Sequence, residues 1–347
     1  MKIRFAGVSC LLLSLGTASA DSRANATRPE LTVYVYDSWA APGGLGEAVF
    51  PLFEKQCGCV LLALPSGDGS AALSRLALDQ ERGHAGAELV VGLDGPTSQR
   101  AASYVEPLSP ALIQLSRKKL VDQAQSALGA GFIAYDYGYF AFIADQDQLK
   151  KQKLVAPTRF ADLLRPEWRR NLILEDPRTS TPGLSFVLYG EALSADWSKL
   201  KSQWLTLAPG WDGAYGLFLK GEAPLVWSYT TSQAYHEEHG DRAHRYTALI
   251  FNEGQPVQVE GAALVKGAFE GEGGKAKRKL AESFLSFLVS PQAQALIPTR
   301  NWMYPARKGI ELPASFAHLP KPGKAVNLPN DPALVKRALD HWAESIQ

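Results

Sequence analysis

The chain has 347 residues, 46% of them hydrophobic and 20% charged, with 36 basic residues against 35 acidic ones. That length and apolar content supply cores for two domains or lobes rather than one. A charge balance so close to zero gives no electrostatic reason to expect nucleic acid or a membrane surface as partner.

At the N-terminus, Lys2 and Arg4 precede an apolar run over 5–15, and Ala18-Ser-Ala20 supplies the small-x-small pattern of a cleavage site. Residues 1–20 read as an export signal removed from the mature chain, which then works outside the cytoplasm. The apolar run is too short to span a bilayer, and no later stretch approaches the roughly 20 apolar residues that a membrane helix needs. Cys10 follows Gly7-Val-Ser9, a poor pattern for lipid attachment. The signal carries two bases and no acid, so the mature chain stays near neutral.

Residues 31–36 alternate β-formers and read as an opening strand, followed by a Pro-Gly-Gly loop and an apolar helix over 48–55. Cys57 and Cys59 flank a single glycine. In an oxidising compartment they pair as a small-loop disulfide; the alternative is two thiols beside a strand. A zinc site would need a second Cys or His pair at ligand spacing. Strands over 59–63 and 87–92 enclose a helix over 70–81, so strands and helices alternate as in βαβ units with a parallel sheet. Ligands of such sheets sit at the carboxyl ends of strands, beside helix N-termini, and Asp37-Ser38 and Asp68-Gly-Ser70 fall at such ends.

Residues 131–143 carry alternating aromatics around Gly138. They read either as a strand with a bulge or as a strand crossing into a second lobe. Beyond them come a helix over 160–164, a strand over 171–174 and the cap Ser180-Thr-Pro-Gly183, with proline in the first helical turn. The segment from Trp211 to Tyr235 is the most telling of the chain, because it places aromatic faces and clustered hydroxyls at both ends of one helix-turn-strand unit. Aromatic rings hold flat or cationic ligands, and hydroxyls suit an alcohol or phosphate. A strand over 257–265 and an amphipathic helix over 275–288 bring the chain back to the first lobe. The expected division is 30–134 plus 258–310 for a discontinuous first lobe, 136–256 for the second, and 311–347 for an extended segment and terminal helix.

Catalytic motifs are weak. Gly183-Leu-Ser185 lacks the second glycine of a nucleophile elbow, and Gly44-Leu-Gly46 lacks the third of a dinucleotide fingerprint. His236-Glu-Glu-His239 with His244 departs from zinc spacing and reads as a solvated surface turn. Asp145 and Asp147 sit in polar sequence and suggest no acid–base pair. A binding protein without cofactor or metal is expected rather than an enzyme.

Six segments then carry a resemblance. They are Leu31-Thr-Val-Tyr-Val-Tyr-Asp-Ser, Asp136-Tyr-Gly-Tyr-Phe-Ala-Phe, Glu175-Asp-Pro-Arg-Thr-Ser-Thr-Pro-Gly-Leu, Ala214-Tyr-Gly-Leu-Phe-Leu-Lys-Gly-Glu, Ser228-Tyr-Thr-Thr-Ser and Ile297-Pro-Thr-Arg-Asn-Trp-Met-Tyr-Pro. In this order the chain resembles the periplasmic thiamine-binding proteins of bacterial ABC importers over nearly its whole mature length. The resemblance implies an α/β, two-lobed periplasmic-binding fold. Each lobe would be a mostly parallel sheet flanked by helices, and the cleft between them would capture thiamine, its monophosphate or its diphosphate for a permease and ATPase. It also implies a monomer that closes about hinges near 135–137 and 257–260. The family's ligand contacts fall on Asp68, Gly69, Ser180, Thr181, Trp211, Tyr229, Thr230, Thr231 and Ser232, with Tyr36 and Trp302 at aromatic positions of the cleft. Ser66-Gly67 departs from the Leu-Glu pair of the family pattern.

The chemistry of those residues suits the ligand. Thiamine joins an aminopyrimidine to a permanently cationic thiazolium bearing a hydroxyethyl arm. Trp211, Tyr229 and Trp302 offer faces for the cation, Asp68 an acceptor for the exocyclic amine, and Ser180, Thr181, Thr231 and Ser232 partners for a hydroxyl or phosphate. A ferric-ion binder would need adjacent tyrosines, but Thr230 follows Tyr229. A polyamine binder would want several acids, for which Asp37, Asp68 and Asp212 are the candidates. A secreted hydrolase would need a nucleophile–base set that the sequence does not present.

Overall fold

The structure, a computed structural model, describes residues 28–125, 127–241 and 244–347. The expected signal over 1–20, with Cys10, lies outside the described residues. Among the described residues no helix is long and apolar enough to cross a membrane.

Nine main strands follow in chain order: β1 (Glu30–Val35), β2 (Val60–Pro65), β3 (Leu89–Asp94), β4 (Phe132–Asp145), β5 (Leu172–Glu175), β6 (Trp204–Ala208), β7 (Leu225–Tyr229), β8 (Tyr246–Ala248) and β9 (Gln255–Leu264). β1 pairs in parallel with β2 and β3, and β5 pairs in parallel with β6 and β7. These are the parallel trios that βαβ units predict. Each is extended by antiparallel partners, because β9 pairs with β3 and β4, and β4 pairs with β7 and β8. Both sheets are therefore mixed. β1 and β3 are covered by helices on both faces, which is why they read as nearly unbroken apolar runs.

β4 joins the two lobes. Its first half lies against β9, from Phe132 opposite Ala263 to Tyr139 opposite Val257, and its second half against β7, from Phe140 opposite Tyr229 to Ala144 opposite Leu225. The segment thus both crosses between lobes and carries a bulge. The irregularity falls between Ala134 and Asp136, opposite Gly261 and Glu260, and not at Gly138.

Each lobe has its own core. In the first, Leu31, Val33, Trp39, Phe50 and Phe53 pack with Phe284 and Leu285, and Tyr34, Leu73, Leu76 and Val90 fill the other face of the sheet. In the second, Phe142, Trp168, Phe186, Trp197 and Trp227 pack together with Val335, Ala338 and Trp342 of the terminal helix Pro332–Ser345. Ala141, Ile143, Ile173 and Phe218 occupy the opposite face, as the period of two along β4 requires. Trp227 is wholly buried, and its truncation to alanine would cost about 3–5 kcal/mol.

The helices that reach the cleft begin where their caps dictate. Asp68 caps Gly69–Glu81 through the Gly69 amide, and Ser180 caps Thr181–Ala192 through the Gly183 amide, with Pro182 in the first turn. Cys57 and Cys59 form the disulfide, at the junction of helix Leu45–Cys57 with β2. Residues 160–164 form a 3-10 turn instead of the expected helix.

Candidate ligand-binding cleft

The two capped helix starts face each other across the lobes. The Ser180 hydroxyl donates to Asp68 Oδ2 at 2.8 Å and the Thr181 hydroxyl to Asp68 Oδ1 at 3.0 Å. The Ala71 amide donates to the Thr179 carbonyl oxygen at 3.2 Å. So close an approach requires glycine at 69, where a Cβ would stand 2.7 Å from Thr181 Cγ2 and 3.0 Å from the Gly92 carbonyl oxygen. Burial raises the Asp68 carboxyl above its usual range, while its bonds from Ser180, Gly69 and Thr181 oppose the rise.

Beside this contact lies a cavity of about 790 Å³. One wall is a stack of rings. Trp211, at the start of helix Trp211–Leu219, lies 4.7 Å from Tyr215 at 21°, and its indole N–H donates to Ser228 Oγ at 2.8 Å. Tyr215 is braced in turn by His236, its hydroxyl 2.8 Å from Nε2. Trp302 also lines the cavity; it meets Tyr235 at 5.2 Å and His239 at 5.6 Å and so packs on the second lobe. Trp302 adopts φ +53°, a left-handed backbone that a bulky residue holds only when its surroundings fix it.

Tyr36, Tyr229 and Glu260 form the floor. Tyr229 stacks on Phe140 at 4.8 Å and donates to Gln258 Oε1 at 2.6 Å. Tyr36 fits only because residue 92 is glycine at φ +98°; a Cβ there would stand 2.1 Å from its ring. Burial pushes both phenols well above the usual tyrosine range, so they remain hydrogen-bond donors.

Of the residues expected at the site, Tyr36, Asp68, Trp211, Tyr229, Ser232 and Trp302 border the cavity. Gly69, Ser180 and Thr181 stand behind it, in the contact between lobes. Thr230 and Thr231 are wholly buried beneath it. Cavity residues beyond that expectation include Tyr215, Tyr235, His239, Glu260, Arg300 and Asn301. The aromatic pattern of 211–235 contained the first two, whereas Glu260 and Asn301 carry no local signal.

The histidine segment is corrected by the structure. His236 belongs to helix Ser232–Glu238 and is 95% buried, not part of a solvated turn, because its ring is stacked 4.1 Å from Tyr246 and bonded to Tyr215. Burial lowers its pKa to about 4 and keeps it neutral.

The cleft is rich in acids. Asp37, Asp68, Asp212 and Glu260 border the cavity, and Asp94, Asp136 and Glu175 lie buried near it. Burial raises the carboxyls of Asp94 (to about 6), Asp136 and Glu175, with Asp68 raising Asp94 and Glu175 further and Glu260 raising Asp136. Among the described residues none of these seven forms an ion pair with a basic side chain; Arg300 borders the cavity from its exposed edge. A ring-walled cavity bordered by carboxyls that no basic side chain neutralises among the described residues suits a flat organic cation.

Comparison with known proteins agrees with this chemistry. The family model for bacterial extracellular solute-binding proteins matches residues 96–334. The thiamine-binding periplasmic protein of Brucella abortus is 39% identical over 330 residues, 93% of each chain. That of Escherichia coli is 38% identical over 331 residues, 92% of this chain and 93% of the relative. A solved periplasmic thiamin-binding protein superposes with a TM-score of 0.77 at 35% identity, covering 92% of this chain and 97% of that one. The chain therefore belongs to the bacterial extracellular solute-binding proteins, within the group of periplasmic thiamine-binding proteins.

Proposed function

We propose that this protein captures thiamine and its phosphate esters in the periplasm and delivers them, as a monomer, to the permease and ATPase of an ABC importer. The observation that carries the reading is the union of stacked rings and unpaired carboxylates in one cavity of ligand size. The thiazolium lies against Trp211 or Trp302, where a desolvated cation–π contact contributes about 2 kcal/mol. The aminopyrimidine meets Asp68 and the phenols of the floor, and the hydroxyethyl arm leads toward Ser232. An ester phosphate is accepted beside the exposed Arg300 and His239, the basic side chains that border the cavity, and away from the buried Glu260.

Closure follows from the same parts. The lobes, 30–134 with 258–310 and 136–256, move about the paired crossing strands near 135–137 and 257–260, and the Asp68 contact fastens the closed form. The described conformation has that contact made, which supports its being the ligand-ready one.

The four carboxylates at the cavity also suit a polyamine, which is the second reading. Thermal unfolding of refolded, ligand-stripped protein separates the two. At a hundredfold excess over Kd a specific ligand stabilises by about 2.7 kcal/mol. Thiamine should raise the melting temperature and spermidine should not; the reverse result selects the polyamine.

A further inference from the structure

Asp136 and Glu260 face each other in register on the two crossing strands, beside the bulge of β4. Both are buried, at 0% and 7% exposure, and no basic side chain pairs with either among the described residues. Glu260 is surrounded by donors. The Tyr135 hydroxyl donates to Oε2 at 3.1 Å, Gln258 donates to Oε1 at 3.0 Å, and the Tyr36 hydroxyl, whose one proton is shared between Oε2 at 3.1 Å and Asn301 Oδ1 at 2.8 Å, completes the set. Asn301 donates to Asp136 Oδ2 at 2.5 Å and accepts from Tyr36 at 2.8 Å, while Asp136 Oδ1 has no hydrogen-bond partner. Two adjacent buried carboxyls without a cation share at least one proton.

The remaining groups facing Glu260 deepen the negative field. Asp94 is opposite it on β3, Asp68 acts on it from the first lobe's helix start, and the phenols of Tyr36, Tyr135 and Tyr229 are neutral donors. Arg100 lies on the far side toward Asp94. Glu260 borders the cavity and Asp136 does not.

We propose that Glu260 is the counter-charge presented to a cationic ligand, and that it reaches this state by releasing the proton held between it and Asp136, so that capture of the cation expels a proton. The proposal rests on the reading of the cleft as a receptor for thiamine. The carboxylic O–H bond breaks, the proton passes to solvent, and the ligand's fixed positive charge replaces it. The direction of the linkage follows. Burial brings Glu260 to about 7, so it is partly protonated at neutral pH, and a nearby cation lowers that value. Binding therefore releases protons near pH 7, and affinity weakens as pH falls below it.

The test is calorimetric titration of the mature protein with thiamine at pH 7 in phosphate and in Tris, whose ionisation heats differ. Thiamine is used because an ester phosphate would itself titrate in this range. The expected result is a net release of protons at pH 7 that declines as pH rises. In E260Q the release should vanish and affinity should fall about tenfold. D136N, which removes the neighbouring acid, should change the pH range of the release and serves if E260Q does not fold; a release identical in pH dependence to the unsubstituted protein would overturn the role of the pair. Equal heats in the two buffers with normal binding overturn this proposal and leave the receptor reading standing. Release unchanged in E260Q also overturns it. Absence of binding in both buffers overturns the receptor reading, and this proposal with it.

Discussion

The Ser180 hydroxyl of one lobe donates to the Asp68 carboxylate of the other at 2.8 Å, between two helix N-termini. This bond lies at the wall of the cavity, so under the proposed function holding the lobes together and enclosing a ligand are a single structural event.

Asp68→Asn should separate the two. An amide accepts fewer of the bonds from Ser180, Thr181 and the Gly69 amide, and each bond to a charged acceptor contributes about 1.5–3 kcal/mol. Thiamine affinity should drop tenfold or more by calorimetry, and scattering should show less compaction on ligand addition. Unaltered affinity would remove Asp68 from both roles.

Trp211→Ala should weaken thiamine binding about tenfold, the loss of one desolvated cation–π face. Ser228 keeps its partner Ser232 at 2.9 Å, so the melting temperature without ligand should change little. Trp211→Phe should restore part of the affinity. A large fall in melting temperature with unchanged binding would make Trp211 a packing residue.

Gly69→Ala probes closure alone. The added Cβ meets Thr181 Cγ2 at 2.7 Å only when the lobes are together, whereas its 3.0 Å approach to the Gly92 carbonyl lies within the first lobe and offsets the gain of up to about 1 kcal/mol from alanine in the helix. Ligand-free stability should change little and affinity should fall at least tenfold. Equal affinity would show that closure does not need the close approach.

His236 sets a pH dependence. Its pKa is lowered to about 4 by burial, so between that value and the usual 6.5 the unfolded chain binds the extra proton and the folded one does not. Stability should therefore decline as pH falls from 6.5 toward 4, by at most about 3 kcal/mol. His236→Gln, which still accepts from Tyr215, should flatten this decline in denaturant titrations. An equally steep decline in the variant would assign the effect elsewhere.

Much of this was legible in the sequence wherever the cause is local. The β-branched run of β1, the caps Asp68 and Ser180 and the aromatic spacing of 211–235 declare their elements because propensity and capping act within a few residues. The floor of the cleft was not legible. Asp136 and Glu260 meet only through strand register, and Asn301 reaches them from a loop, so neither neighbourhood hints at the other. His236 was hidden by the charges of Glu237, Glu238 and Asp241, although Ser232 and His236 share the buried face of their helix at i, i+4. Residue type also leaves the partner open. The hydroxyls of Ser180 and Thr181 have the chemistry of ligand donors, and in the structure their acceptor is Asp68.

The central claim is that a thiazolium cation is held against Trp211 or Trp302 in the acid-lined cavity that both border. Titration of refolded, ligand-stripped protein with thiamine, followed by tryptophan fluorescence, tests it most directly. The account predicts saturable quenching at one site per chain, smaller and shifted to about tenfold higher thiamine in Trp211→Ala, and not produced by spermidine or ferric citrate. An unchanged emission spectrum with thiamine, accompanied by a response to another of these ligands, would contradict it.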